Sequence, residues 1–396
     1  MEIKKKNNTS ANILLLGMVS FFSDVSTDMV YPLIPLYLSG AFGVTPVIIG
    51  LIEGIAESLA SLLKVFSGYL SDKYHKKKRL AFLGYGGGLI YKILLLMATS
   101  WVGVLLARVI DKIGKGIRTS PRDVLIAESA DKQNMGKAYG IHKALDMAGS
   151  ALGILLSYFI LLSIGDSLTS YRDLFVVAII PAAIGLVIMG FVREKPHQPL
   201  KEREPFWRNL HQVSPNLKRY LFISLLFTLG NSSNTFLLLR AKAFGFNDTN
   251  VILLYFIYNL SAAILSVPFG KHSDKIGRKR PLVIAYFLFG LVYLGFGFAQ
   301  SRIMLIATFV LYGVFTALNS GAERAFIAEV SPSELKGTML GMQATLTGLG
   351  LLPASIIAGL LWDNVAYWAP FAFGATMAFL AGLLLLTTFK KVTNNN

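Results

Sequence analysis

The sequence predicts an all-α integral membrane protein of twelve transmembrane helices in two related halves, and three observations carry that prediction. A cation-rich stretch occurs twice, once from Gly68 through Asp72 to Arg79 and once from Gly270 through Asp274 and Arg278 to Pro281, so that Gly68, Ser71, Asp72 and Lys73 recur 202 residues later. Ile126-Ala127-Glu128, Gly136, Gly140 and Gly149 recur 201 residues later at Ile327-Ala328-Glu329, Gly337, Gly341 and Gly350. The chain is a duplication. Secondly, 54% of the 396 residues are hydrophobic and only 15% charged, too little polar surface to cover a water-soluble body of this size. Thirdly, apolar runs of roughly 20 residues, the length that crosses a bilayer, recur between charged loops.

In order, the spans fall at 12–38, 47–70, 80–100, 102–127, 137–163 and 173–193 in the first half. In the second they fall at 219–241, 249–270, 281–300, 302–327, 337–361 and 366–390. The first follows Lys4-Lys5-Lys6 but is too long for a signal-peptide core and has no evident cleavage site, so it reads as a retained helix. Residues 1–192 and 219–396 are the two predicted bundles, and 193–218, with three prolines and alternating charges, is a linker. Trp101, Trp362 and Trp368 fall at predicted outer interfaces, where an amphipathic ring is favoured.

The formal net charge of +16 raises a nucleic-acid reading, which its distribution argues against. Lys and Arg crowd alternate loops, at 73–79, 193–219, 271–280 and 390–391, whereas loops 39–46 and 99–101 carry none. That asymmetry places both termini and the linker in the cytoplasm, with the basic loops against anionic lipid of the inner membrane. Cysteine is absent, which removes thiolate chemistry, disulfides and cysteine metal sites. No metal-spaced histidine cluster, Gly-rich phosphate loop or nucleophile–base constellation is present, so neither cofactor, metal nor catalytic residue is expected.

The paired Gly-x-x-Ser-Asp-Lys segments, each followed by a basic run, resemble the loop motif of the major facilitator superfamily, placed between helices 2 and 3 and between helices 8 and 9. The resemblance covers essentially the whole chain. It implies two pseudo-symmetric six-helix bundles around a central cavity, alternating access, and a monomer that binds a small molecule. Gly68, Asp72, Arg79, Gly270, Asp274 and Arg278 then belong to a gate, in which a carboxylate at a helix end meets a neighbouring helix's positive N-terminus. The fifth span is also similar to the antiporter branch, since Gly140, Gly149 and Gly153 keep its spacing, but Ile154 stands where that branch has proline. Close helix packing through small residues explains the same glycines equally well.

Span 4 departs from the family pattern, with Asp111 and Lys112 where glutamine and glycine are usual. Arg108, Asp111, Lys115, Arg118 and Arg122 step by 3, 4, 3 and 4 and form one helical stripe, with Lys112 at its edge. Ionisable groups at membrane depth must face water, one another or a ligand. Asp24 and Asp28 in span 1, and Glu53 and Glu57 in span 2, are the carboxyls that could answer this stripe and carry protons. Asn231 and Asn234 in span 7 occupy the place of the span-1 acids and are neutral, so they supply hydrogen bonds. Arg122, Asp123, Glu323 and Arg324 lie toward the cytoplasmic ends, where ion pairs can gate.

The reading is a secondary transporter exporting a small organic solute, anionic or zwitterionic, coupled to protons. Its substrate residues are Arg108, Asp111, Lys112, Lys115, Arg118, Asn231 and Asn234. The alternative from another class is a polytopic enzyme or lipid scramblase that takes phospholipid head groups into the same cationic groove.

Overall fold

A computed structural model describes the backbone over 2–74, 77–130, 135–194, 215–276, 279–330 and 336–388. Side chains are described over the same ranges except at 2–10, 65–66, 68–74, 135–137, 267, 270–276, 320–321, 324–325, 328–330, 336–338 and 340–341. Among the described residues the chain is helical throughout, without strands. Span 1 is α1 (Glu2–Val30), a 3-10 turn (Tyr31–Leu33) and α2 (Ile34–Phe42); then follow α3 (Pro46–Tyr74), α4 (Lys77–Met97), α5 (Trp101–Ser129), α6 (Met135–Ile164) and α7 (Leu168–Phe191). The second half holds α8 (Pro215–Gly230), α9 (Thr235–Ala243), α10 (Asp248–Ile276), α11 (Lys279–Phe298), α12 (Arg302–Val330), α13 (Lys336–Asn364) and α14 (Ala369–Thr388).

The helices begin and end where the local chemistry directs. The Ser100 and Ser167 hydroxyls accept from the amides of Gly103 and Ser170, capping α5 and α7. Gly43, at φ 59°, closes α2 in the left-handed region that other residues avoid. Among the described residues, eleven of the twelve spans are long and apolar enough to cross a bilayer. The twelfth, α5, is 29 residues long but carries the charged stripe, so composition alone does not mark it.

By contact the chain divides into two compact units. The first comprises Met1–Val44, Ile55–Glu204 and Asn247–Leu253; the second comprises Thr45–Gly54, Pro205–Phe246 and Leu254–Asn396. In the first, an apolar core of Leu16, Val19, Tyr85, Leu125, Ile126, Met189 and Val192 joins α1, α4, α5 and α7. The segment 247–253 is tied to it by Tyr171 donating to Asp248 and the Thr249 amide donating to Asp166 at 3.3 Å. In the second unit the core is aromatic: Phe227 stacks on Tyr286 at 4.1 Å between centroids and Phe289 on Tyr293 at 3.9 Å. There the Val47 amide donates to the Asp363 carboxylate at 3.0 Å.

Candidate functional site

Glycines set how closely the helices of the first unit approach. A Cβ at Gly84 would lie 2.6 Å from the Gly114 carbonyl oxygen, and one at Gly114 would lie 2.5 Å from that of Gly84, so α4 and α5 cross backbone to backbone. On the opposite side of α5, Gly116 lies against Ala60 and Leu63 of α3. The charged stripe runs between these two seams.

Its flanks are buried and its midline is open. Arg108 and Asp111, 1% and 4% exposed, face each other with Nη1 3.5 Å from Oδ2. Lys112 turns toward α3 and donates to Glu57 Oε1 at 2.5 Å. Arg118 packs over the Tyr85 ring at 4.4 Å from its centroid. Lys115, between them on the wheel, is exposed. Among the described residues neither Lys115 nor Arg118 has a carboxylate within ion-pair distance. Arg122 grips its neighbour Asp123 at 2.9 Å. Thus the stripe is brought together, but three of its cations, Arg108, Lys112 and Arg122, are locally matched and two, Lys115 and Arg118, are not.

The acids separate. Asp24 and Asp28 lie on α1, which packs on α6 through Gly149 and Gly153, with Asp146 and Ser150 of α6 in the same neighbourhood. Asp146 also accepts from Lys143 at 2.8 Å. Glu57 is the partner of Lys112, whereas Glu53 belongs to the second unit and is buried there at 1% exposure. Gly149 and Gly153 lie directly on α1: a Cβ at either would come within 3.0 Å of the carbonyl carbon of Phe21 or Val25, and nearer still to the oxygen. Gly140 differs, since a Cβ there would meet nothing within 4 Å.

In the second unit span 7 is interrupted. The helix stops at Gly230 and restarts at Thr235, leaving Asn231 to Asn234 outside regular structure. Asn234 Oδ1 accepts from the Tyr312 hydroxyl at 2.7 Å, and the Ser233 amide donates to the Ser355 hydroxyl at 3.3 Å. Span 1 is also interrupted, at Tyr31–Leu33, about 200 residues earlier. Broken helices at matching positions of two repeats free backbone groups for a ligand. Pro32, Pro35 and the Gly230-to-Asn234 stretch were the signals for it. Glu323 accepts from Gln343 at 2.8 Å, a contact across 20 residues that no local spacing signals.

Of the gate residues, Arg79 is exposed. The side chains of Gly68, Asp72, Gly270, Asp274, Arg278 and Arg324 lie outside the described residues. Four further groups emerge. Lys77 pairs with Glu128, and the Lys77 amide donates to Glu194 at 2.9 Å, tying the ends of α4, α5 and α7. Lys92, 1% exposed, reaches Thr27 at 3.5 Å, and Tyr85 carries Arg118. Asp146 was legible only as a local partner of Lys143. Among the described residues no cluster of histidine and acidic side chains could hold a metal ion.

The family model described as Major Facilitator Superfamily matches residues 16–239 and 220–395. An MFS-type transporter of Methanocaldococcus jannaschii is 38% identical over 393 residues, spanning 96% of this chain and 97% of its own. The fosmidomycin resistance protein of Escherichia coli (strain K12) is 26% identical, spanning 97% and 94%. The crystal structure of the nucleoside transporter NupG superposes with a TM-score of 0.77 at 15% identity over 96% of this chain and 99% of that one, a likeness of fold.

Proposed function

We propose that this chain, which belongs to the major facilitator superfamily, exports a small organic solute bearing an anionic group, alone or within a zwitterion, in exchange for protons. It is a multi-pass membrane transporter, and its family is one of transporters rather than enzymes. The proposal places it in the cytoplasmic membrane as a monomer with both termini inside, residues 1–192 and 219–396 being the bodies that alternate. Export is supported by the relative named for fosmidomycin resistance and by the multidrug resistance protein MdtG of Escherichia coli O9:H4, 21% identical over 380 residues.

The anionic group rests on one observation. On α5, Lys112 and Arg108 have carboxylate partners, while Lys115 and Arg118 have none within 4 Å among the described residues. A cation held at membrane depth without a counter-charge is costly, and a ligand anion lowers that cost. Arg118 can take a carboxylate or phosphonate through two parallel hydrogen bonds. Asp24 and Asp28 are assigned to the proton, and Asn231 and Asn234 to hydrogen bonds with the uncharged part of the solute.

The test is uptake into everted vesicles of an aromatic carboxylate and phosphonate panel, each paired with its neutral amide or ester, with and without an imposed pH gradient. Gradient-driven accumulation of the anionic members is expected. A preference for cationic solutes would overturn the anion assignment and move the site to the acids.

A further inference from the structure

Two buried cations from different helices end at one glycine. Gly84, Gly88 and Lys92 step by four residues and share one face of α4. Arg118 of α5 lies along that face. A Cβ at Gly84 would fall 2.5 Å from the Arg118 Cβ, the guanidinium carbon sits 4.4 Å from the Tyr85 ring centroid, and a Cβ at Gly88 would fall 3.5 Å from Arg118 Nη1. The same Cβ at Gly88 would fall 4.0 Å from Lys92 Nζ. Gly88, having no side chain, keeps open a place on which the guanidinium and the ammonium converge.

Neither cation has a carboxylate within 4 Å among the described residues. Both are shielded from solvent, with 1% exposure for Lys92 and 6% for Arg118. Lys92 donates to the Thr27 hydroxyl of α1 at a long 3.5 Å. A hydroxyl that accepts there keeps its own proton to donate. Two positive charges this close repel, and burial removes the water that would screen them. The other buried cations of this unit are answered, Arg108 by Asp111, Lys112 by Glu57 and Lys77 by Glu128. The pair at Gly88 is the exception among the described residues, and a group with two negative charges and several acceptor oxygens answers both members at once.

We propose that Lys92 and Arg118, converging on Gly88, bind the charged end of the solute, and that this end is a doubly charged tetrahedral oxyanion such as a phosphonate. The inference rests on the anion reading above and adds to it the second cation and the charge of the group. A tetrahedral oxyanion accepts from Arg118 on two oxygens and from Lys92 on a third, at about 2.8 Å each. A carboxylate has two oxygens and one charge, and leaves one cation unanswered.

The experiment is equilibrium binding by calorimetry to the purified protein in lipid nanodiscs. Its probes are phenylphosphonate, the monoethyl ester and the diethyl ester, a series of two, one and no charges at a pH where the phosphonate is doubly ionised. Each is incubated to a constant reading, since both cations are closed to solvent in this arrangement. Wild type is expected to hold the dianion about tenfold or more tighter than the monoester, the worth of one charge-assisted hydrogen bond. Lys92→Met exchanges a buried ammonium for an apolar chain, so it should fold with equal or higher thermal stability. It should bind mono- and dianion alike, with its response to the diethyl ester unchanged. Gly88→Asp places a carboxylate between the two cations, and should raise the thermal midpoint of the ligand-free protein while abolishing its response to phenylphosphonate. A Lys92→Met protein that keeps the wild-type preference overturns the proposal, as does a Gly88→Asp protein that binds phenylphosphonate like wild type; if Gly88→Asp does not fold, Lys92→Met decides alone. The two readings fail differently. Equal binding of mono- and dianion by wild type, both tighter than the diethyl ester, removes the doubly charged group and leaves the anion reading standing, whereas binding of neither more tightly than the diethyl ester removes both.

Discussion

Three alanine substitutions on one helix should have opposite signs. At Gly149 and Gly153 the added methyl meets backbone of α1 at 3.0 Å or less, which no side-chain rotation can relieve. The helices must separate by several tenths of an ångström, and overpacking of this kind costs about 1–3 kcal/mol. Against that, alanine gains about 1 kcal/mol over glycine in a helix interior. The net expectation for Gly149→Ala or Gly153→Ala is a loss of about 0–2 kcal/mol. At Gly140 the steric cost is absent, because nothing lies within 4 Å of the new methyl, and only the gain remains. Gly140→Ala should therefore be neutral or stabilising, lying about 1–3 kcal/mol above either seam variant. Thermal unfolding of the three proteins in one detergent, followed by intrinsic fluorescence and aggregation onset, orders them. If all three move in the same direction by similar amounts, α6 does not rest on α1 as described.

Further expectations concern the charges. Glu57→Gln should destabilise by about 1–2 kcal/mol, less than the 3–5 kcal/mol typical of a fully buried pair, because Glu57 is 32% exposed. A thermal double-mutant cycle with Lys112→Met should recover part of that loss. Arg118→Lys keeps the charge but loses the fork, so an anionic solute should bind about 1 kcal/mol or more weakly; equilibrium binding of an anion and its neutral analogue checks this, and equal losses for both would make Arg118 a packing residue. In the second unit Arg240, 3% exposed, donates to the Phe296 carbonyl at 2.8 Å and lies 4.4 Å from the Tyr367 ring centroid. Arg240→Lys should lower stability by about 1–2 kcal/mol through the lost stacking and bond, measured by thermal unfolding.

How far these features can be read without coordinates depends on whether their cause is local. Span positions other than that of α5 follow from hydropathy alone and the duplicated loop fixes the pairing of halves, so the helix order is legible. The helical stripe is legible too, because 3.6-residue periodicity puts Arg108, Asp111, Lys115 and Arg118 on one face whatever surrounds them. Which of those cations is matched is not legible. It depends on Gly114 and Gly116 lying on opposite sides of α5, so that α4 covers one flank and α3 the other. Sequence spacing joins Asp146 to Lys143, three residues away, but the approach of α6 to α1, more than a hundred residues apart, exists only because Gly149 and Gly153 admit the α1 backbone.

The uneven chemistry of the two units has a physical logic. A charge at membrane depth needs a partner at every stage of a transport cycle, so charges are best kept where the helices approach closely enough to exchange partners. The first unit supplies that closeness through glycine pairs at Gly84–Gly114 and along the Gly149–Gly153 seam. Within it Lys112, Arg108, Arg122 and Lys143 each have a carboxylate close by. The aromatic core of the second unit offers instead large rigid faces and hydroxyls, such as Tyr312 on Asn234, which recognise shape without a solvation cost for charge. Charge sensing concentrated in one unit means that substitutions there should alter pH dependence and ion selectivity, whereas substitutions among Tyr293, Tyr312 and Asn234 should alter which uncharged scaffold is accepted. A survey in which aromatic-core variants change the pH profile and acid-seam variants change only scaffold preference would invert that division and remove its basis.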